Sequence, residues 1–133
     1  MNSPSDFWDQ RYEQQEFVYG EQPNVFFKEQ LEKLAPGKLL LPAEGEGRNG
    51  VWAACQGWKV TAFDQAATGR KKALELARKK GVQIHYQVSA AGSFGTNKQF
   101  DVIGLIYAHF PSSERQAIHQ QLLEYLRPGG KII

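Results

Sequence analysis

The sequence has one cysteine, Cys55, so an internal disulfide framework is excluded. It has no run approaching the ~18 apolar residues of a membrane span, and no apolar segment of the kind that forms a secretory leader. The chain therefore reads as cytoplasmic, with no membrane partner. Basic residues number 16 against 14 acidic ones, and the resulting charge of +2 is spread along the chain. Without a basic stripe, nucleic acid is not the favoured partner. Three scattered histidines with a single cysteine make no metal site. What is present, 133 residues of which 41% are hydrophobic and 23% charged, is ordinary globular composition of a length that suits one domain with one core.

The stretch that organises this composition is Leu39-Leu40-Leu41-Pro42-Ala43-Glu44-Gly45-Glu46-Gly47-Arg48-Asn49-Gly50, followed by Val51-Trp52-Ala53-Ala54-Cys55. A short continuous apolar run reads as a buried parallel strand, and glycines directly after it let backbone approach a ligand. Arg48 or Asn49 begins the next helix, whose N-terminal N–H groups and positive dipole end face the loop. That helix ends at Gly57, a candidate left-handed cap.

Around this unit the pattern alternates. Asn24 caps a helix running through Val25, Phe26 and Phe27 to Leu31, Leu34 and Ala35, which stops at Pro36-Gly37. Trp58 to Asp64 reads as a second strand with Asp64 at its tip, and Thr68 to Lys80 as an amphipathic helix closed by Gly81. Lys71, Lys72, Arg78, Lys79 and Lys80 read as its solvated basic face. Val82 to Val88 alternates as a third strand, Ser89 to Gln99 as a polar loop, and Phe100 to Ile106 as a fourth strand. Ser113 and Gln116 have capping-box spacing, opening a helix with Ile118, Leu122, Leu123 and Leu126 on its apolar face. Arg127-Pro128-Gly129-Gly130 reads as a stop, and Lys131-Ile132-Ile133 as the start of a fifth strand, so the domain reads as truncated. Strands alternating with helices predict a parallel sheet covered on both faces, with its ligand at the C-terminal strand tips.

Two ligands compete for the loop. Gly45-Glu46-Gly47-Arg48-Asn49-Gly50 fits G-x-G-x-x-G, and Asp64 stands nineteen residues after Gly45, where an acid holds a ribose in dinucleotide sites. Glu44 and Glu46, however, put carboxylates where a pyrophosphate needs positive potential. A cationic ligand with a carboxylate and a ribose diol, S-adenosylmethionine, suits that loop better than NAD(P) does.

The chain resembles the small class I S-adenosylmethionine-dependent methyltransferases, in particular the tellurite-resistance and thiopurine methyltransferase-like branch. The likeness lies in Phe7-Trp8-Asp9-Gln10-Arg11-Tyr12, Phe17-Val18-Tyr19-Gly20 with Pro23-Asn24, Glu44 to Asn49, Val60 to Asp64, and Leu126 to Gly130. It implies a Rossmann-like α/β fold with strand order 3-2-1-4-5, a helical cap over residues 1–36, a core over 37–133, and strands 6 and 7 missing. It also implies that Gly45 and Gly47, with Glu44, Glu46, Arg48 and Asn49 around them, lie against the methionine part. Asp64, beside Gln65, binds the ribose, Val88 and Ser89 border the adenine, and Tyr107 faces the methyl group. Where the family carries an acid and then a glycine, this chain has Leu41 and Ala43, and Glu44 is the candidate to supply the carboxylate.

The resemblance implies methyl transfer to a small acceptor, for which thiolates and other soft nucleophiles need little base help. Tyr107 and His109 are the candidate catalytic residues at the fourth strand tip, His109 as a proton acceptor. Trp8, Tyr12, Phe17 and Tyr19 form either an aromatic lid over a sulfonium or simple packing. Cys55 reads as a small core residue. An unpaired sheet edge would favour a homodimer. The alternatives are a nicotinamide-dependent oxidoreductase and a cofactor-binding module without turnover.

Overall fold

The computed structural model describes residues 21–106 and 110–133 of the chain. Five strands form one parallel sheet: β1 (Lys38–Pro42), β2 (Lys59–Asp64), β3 (His85–Val88), β4 (Phe100–Ile103) and β5 (Leu126–Ile132), in the order β3-β2-β1-β4-β5. Helix α1 (Val25–Leu31) precedes β1, and α2 (Arg48–Cys55), α3 (Ala67–Lys80) and α4 (Arg115–Glu124) connect β1 to β2, β2 to β3 and β4 to β5, while a loop with a short 3₁₀ turn at Ala91–Ser93 joins β3 to β4. This is the expected Rossmann-like order, with β1 at the centre.

The three leucines of β1 explain that position. Leu39, Leu40 and Leu41 are all buried, and successive strand residues face opposite ways. Leu39 and Leu41 pack with Phe27 of α1, Ala53 of α2 and Ala73 of α3. Leu40 faces the other layer, among Phe63, Phe94, Phe100, Ile118 and Leu122. A strand covered on both faces has no solvated side for polar residues, which is why it reads as an unbroken apolar run.

At the base of the sheet Asp101 joins β1, β4 and β5. Its carboxylate accepts from the Lys38 N–H at 2.8 Å and from the Arg127 guanidinium. These two donors, the Lys38 N–H first, hold its carboxyl below the usual carboxylate range.

Several boundaries differ from the sequence reading, each for a local reason. Asn24 does cap α1, accepting from the Phe27 N–H at 3.0 Å, but the helix ends at Leu31 rather than Ala35. The next residues tighten into i→i+3 bonds, Lys33 to Gln30 and Leu34 to Leu31, ahead of Pro36. β3 begins at His85 rather than Val82, because the Val82 N–H bonds back to Ala77 and completes the Gly81 cap of α3. β4 ends at Ile103, although Gly104 still donates to Leu40.

The Ser113/Gln116 capping box does not form. Helix α4 starts at Arg115 after Glu114, without a side-chain cap, and Leu123 is exposed while Leu126 belongs to β5. Residues 127–130 are not a stop either. They bulge out of β5 between the pairs Phe100–Leu126 and Val102–Lys131, so the strand resumes beyond them. Cys55 is exposed, not a core residue. Among the described residues no helix is long and apolar enough to cross a membrane, and no cluster of three potential metal ligands occurs. The aromatic segment of residues 7–19 lies outside the described residues.

Candidate functional site

Among the described residues, the loop between β1 and α2 has the most unusual backbone. Ala43, Gly45 and Gly47 all adopt positive φ, at 54°, 65° and 88°. For Ala43, standing where the resembling family has glycine, that conformation costs about 1–2 kcal/mol. Gly47 is the N-cap residue of α2, and a Cβ there would lie 2.5 Å from the Ala73 Cβ on α3. Glycine is needed twice over at this position, for its φ and for the approach of α3. Gly47→Ala is expected to destabilise the protein by about 2–3 kcal/mol, read as a lower denaturant midpoint at unchanged slope.

Neighbouring elements hold the loop. The Glu44 N–H donates to the Phe63 carbonyl at 3.1 Å, which extends the β1–β2 pairing past the strand end. Asp64, at the tip of β2, accepts from the Gly45 N–H at 2.9 Å and from the Ala66 N–H at 3.1 Å. Its carbonyl accepts from the Ser89 N–H at 2.8 Å, which brings the tip of β3 alongside. Tyr86 of β3 donates its hydroxyl to the Gly45 carbonyl at 2.5 Å.

The structure thus gathers Glu44, Gly45, Glu46, Gly47, Arg48, Asn49, Asp64, Gln65, Val88 and Ser89 at the C-terminal tips of β1, β2 and β3. Gln65 and Ser89 are half-buried, and Val88 is exposed. Tyr107 and His109 lie outside the described residues. Half-buried Leu105 and Ile106 follow β4 before that gap.

The charges of the loop are not those expected. The carboxylate of Glu46 pairs with Lys72 of α3 at 3.0 Å, and both are buried. Lys72 is therefore not part of a solvated basic face. Its position does reveal this: Lys72 follows Gly69 by three and precedes Leu76 by four, on the stripe of α3 that faces the core.

Glu44 is also buried. Its carboxylate accepts from the Gly50 N–H and from Asn49 Nδ2 at 3.4 Å, while Asn49 Oδ1 accepts from the Asn24 N–H at 2.8 Å. A backbone N–H can only donate, so it fixes the Asn49 amide with its nitrogen toward Glu44. Burial pushes the Glu44 carboxyl up to about 8, against the pull of the Gly50 N–H, Asn49 and Arg48. The two carboxylates of the loop are therefore not equivalent: Glu46 is balanced by Lys72, and burial favours the protonated form of Glu44. Both effects weaken the charge argument against a dinucleotide.

Sequence reasoning missed Lys72 and Tyr86. For Tyr86 the signal was a phenol within an alternating strand, since a buried hydroxyl needs a partner.

A parallel sheet with a glycine loop at its central tip and an acid at the next tip defines an open α/β domain whose ligand crevice lies outside the C-terminal strand ends. A family model described as a methyltransferase domain matches residues 42–130, and the chain belongs to that family. No curated protein sequence matches the chain. Among solved structures, one concerns the conversion of a disulfide bond into a thioacetal group during echinomycin biosynthesis. It is 20% identical at a TM-score of 0.82, over 98% of this chain and 58% of that one. An S-adenosylmethionine-dependent methyltransferase from Thiobacillus denitrificans, in complex with S-adenosyl-L-homocysteine, is 20% identical at a TM-score of 0.73, over 99% and 55%. TehB from Haemophilus influenzae is 17% identical at a TM-score of 0.74, over 96% and 44%. The chain spans about half the length of these proteins, and at such identities the likeness shows the fold.

Proposed function

We propose that the domain binds S-adenosylmethionine across the tips of β1, β2 and β3 and serves methyl transfer to a small-molecule acceptor. Soft nucleophiles such as thiols are the favoured acceptor class. The observation that carries the reading is the Asp64 carboxylate, fixed by the Gly45 and Ala66 N–H groups at the β2 tip of a methyltransferase-domain fold. A carboxylate oriented in this way suits a vicinal diol, which presents two hydroxyl donors to an acceptor of about four lone pairs. The N-terminal end of α2 faces the loop with its positive dipole and suits the carboxylate of an amino-acid moiety.

When bound, S-adenosylmethionine supplies a methyl group activated by its sulfonium. The residues of the chain contribute position. Asp64 holds the nucleoside end, the loop from Glu44 to Asn49 holds the amino-acid end, and an acceptor would approach at the tip of β4, the chain segment that follows containing Tyr107 and His109 in sequence. A one-step displacement at carbon draws its rate mainly from such alignment, and His109 would accept a proton only for acceptors that arrive protonated.

Calorimetric titration with S-adenosylhomocysteine, with NADH as control, tests the reading. Asp64→Ala is expected to weaken homocysteine-product binding roughly a hundredfold, the effect of losing two hydrogen bonds to a charged group. NADH binding without S-adenosylhomocysteine binding would transfer the site to a dinucleotide, which the balanced charge of Glu46 permits.

A further inference from the structure

We infer that Tyr86 is a positioning residue for the cofactor loop: its hydroxyl holds the Gly45 carbonyl so that the loop keeps its shape when a ligand engages Asp64. The inference rests on the cofactor reading above. The Gly45 peptide unit is gripped from two sides, its N–H by Asp64 Oδ2 at 2.9 Å and its carbonyl by the Tyr86 hydroxyl at 2.5 Å.

The two grips differ once a ligand arrives. Asp64 is the group that a ribose diol addresses, so ligand hydroxyls and the Gly45 N–H draw on one carboxylate. The Tyr86 hydroxyl grips the other end of the same peptide unit, donating to the Gly45 carbonyl. Its residue is 4% exposed and belongs to the buried cluster on the covered face of the sheet, beside Ala62 of β2. It reaches the loop from β3 and leaves little surface exposed. Its own strand is tethered as well, because Arg70 Nε donates to the Tyr86 carbonyl at 2.9 Å. A glycine at φ 65° has no side chain to fix it by packing, so a directed bond to its carbonyl is the means by which a neighbouring strand can hold it.

Tyr86→Phe removes the hydroxyl and keeps the ring. The test compares two ligands: S-adenosylhomocysteine, which has both a nucleoside and an amino-acid end, and 5′-methylthioadenosine, which has only the nucleoside. The variant is expected to bind S-adenosylhomocysteine about tenfold more weakly and 5′-methylthioadenosine as the parent does. A general loosening of the fold would move both affinities together, so an equal loss for both ligands overturns the assignment, as does no loss for either. A parent protein that binds neither ligand overturns the cofactor reading itself, and the role of Tyr86 with it.

A second readout needs no ligand. Amide hydrogen exchange at Gly45 and Gly47 is expected to speed up in the variant while Leu40 and Ala62 in the strands keep their protection. Unchanged exchange at the two glycines overturns the assignment.

Discussion

Replacing Lys72 with methionine is expected to lower the thermal midpoint by roughly 10–20 °C, because it removes the ammonium paired with the buried Glu46 carboxylate. The Nζ–Oε2 separation is 3.0 Å, and the side chains are only 11% and 3% exposed. Water cannot replace the lost ammonium at that depth. Removing one partner of a buried pair costs about 3–5 kcal/mol, whereas removing both charges is often close to neutral. The double variant Glu46→Gln/Lys72→Met is therefore expected to recover most of the loss. Glu46→Gln alone is expected to cost less than Lys72→Met, since a lysine stem can carry its charge toward the surface. Melting curves of the four proteins form the cycle, and a double variant no more stable than Lys72→Met would place the cost in packing rather than in charge.

That ion pair shows what a linear reading of this chain can and cannot reach. The strands β1 and β2 and the α3 boundaries were legible because their signals are local: a leucine run before a glycine loop, an acid closing a β-branched and aromatic run, a glycine after the last lysine of a helix; the strand order followed from the family resemblance. The Asn24 cap was legible for the same reason, its acceptor and donor lying three residues apart. The bonds that shape the loop are not local. Asp64 lies nineteen residues from Gly45, Lys72 twenty-six from Glu46 and Tyr86 forty-one from Gly45.

Residue type misled where position would have served. Lys72 was grouped with four other basic residues of α3, although its spacing from Gly69 and Leu76 places it on the core stripe. Phe94 was passed over inside a polar loop, yet it is buried and stacks on Phe63 with ring centroids 4.2 Å apart. The 127–130 segment contains proline and two glycines, and their turn chemistry is real. Pairing of β4 with both flanks of the segment turns it into a bulge instead of an end. In each case a tertiary contact decided between two locally acceptable conformations.

The same distinction between type and environment governs Glu44, from which a pH dependence is expected. Its carboxyl has an ordinary value of 4.5 and is raised to about 8 in the folded protein, burial being the main cause and the nearby Asp64 charge a small addition. The folded state therefore keeps a proton that the unfolded chain releases over this interval, and stability falls as pH rises. The contribution is complete below about pH 4.5, declines by up to about 1.4 kcal/mol per pH unit, and is gone above about pH 8. The Asp101 carboxyl, held below its ordinary value, acts in the opposite sense and only in the acid range, so it leaves this window clear. Glu44→Gln retains an acceptor for the Gly50 N–H and carries no titrating group. Its stability is expected to stay nearly level from pH 5 to pH 8.5 while that of the parent declines, leaving the variant the more stable protein at the alkaline end by roughly 3–4 kcal/mol. Denaturant melts of both proteins across that range measure the difference. Parallel curves would mean that Glu44 is already ionised at neutral pH, and that the Gly50 N–H, Asn49 and Arg48 outweigh its burial.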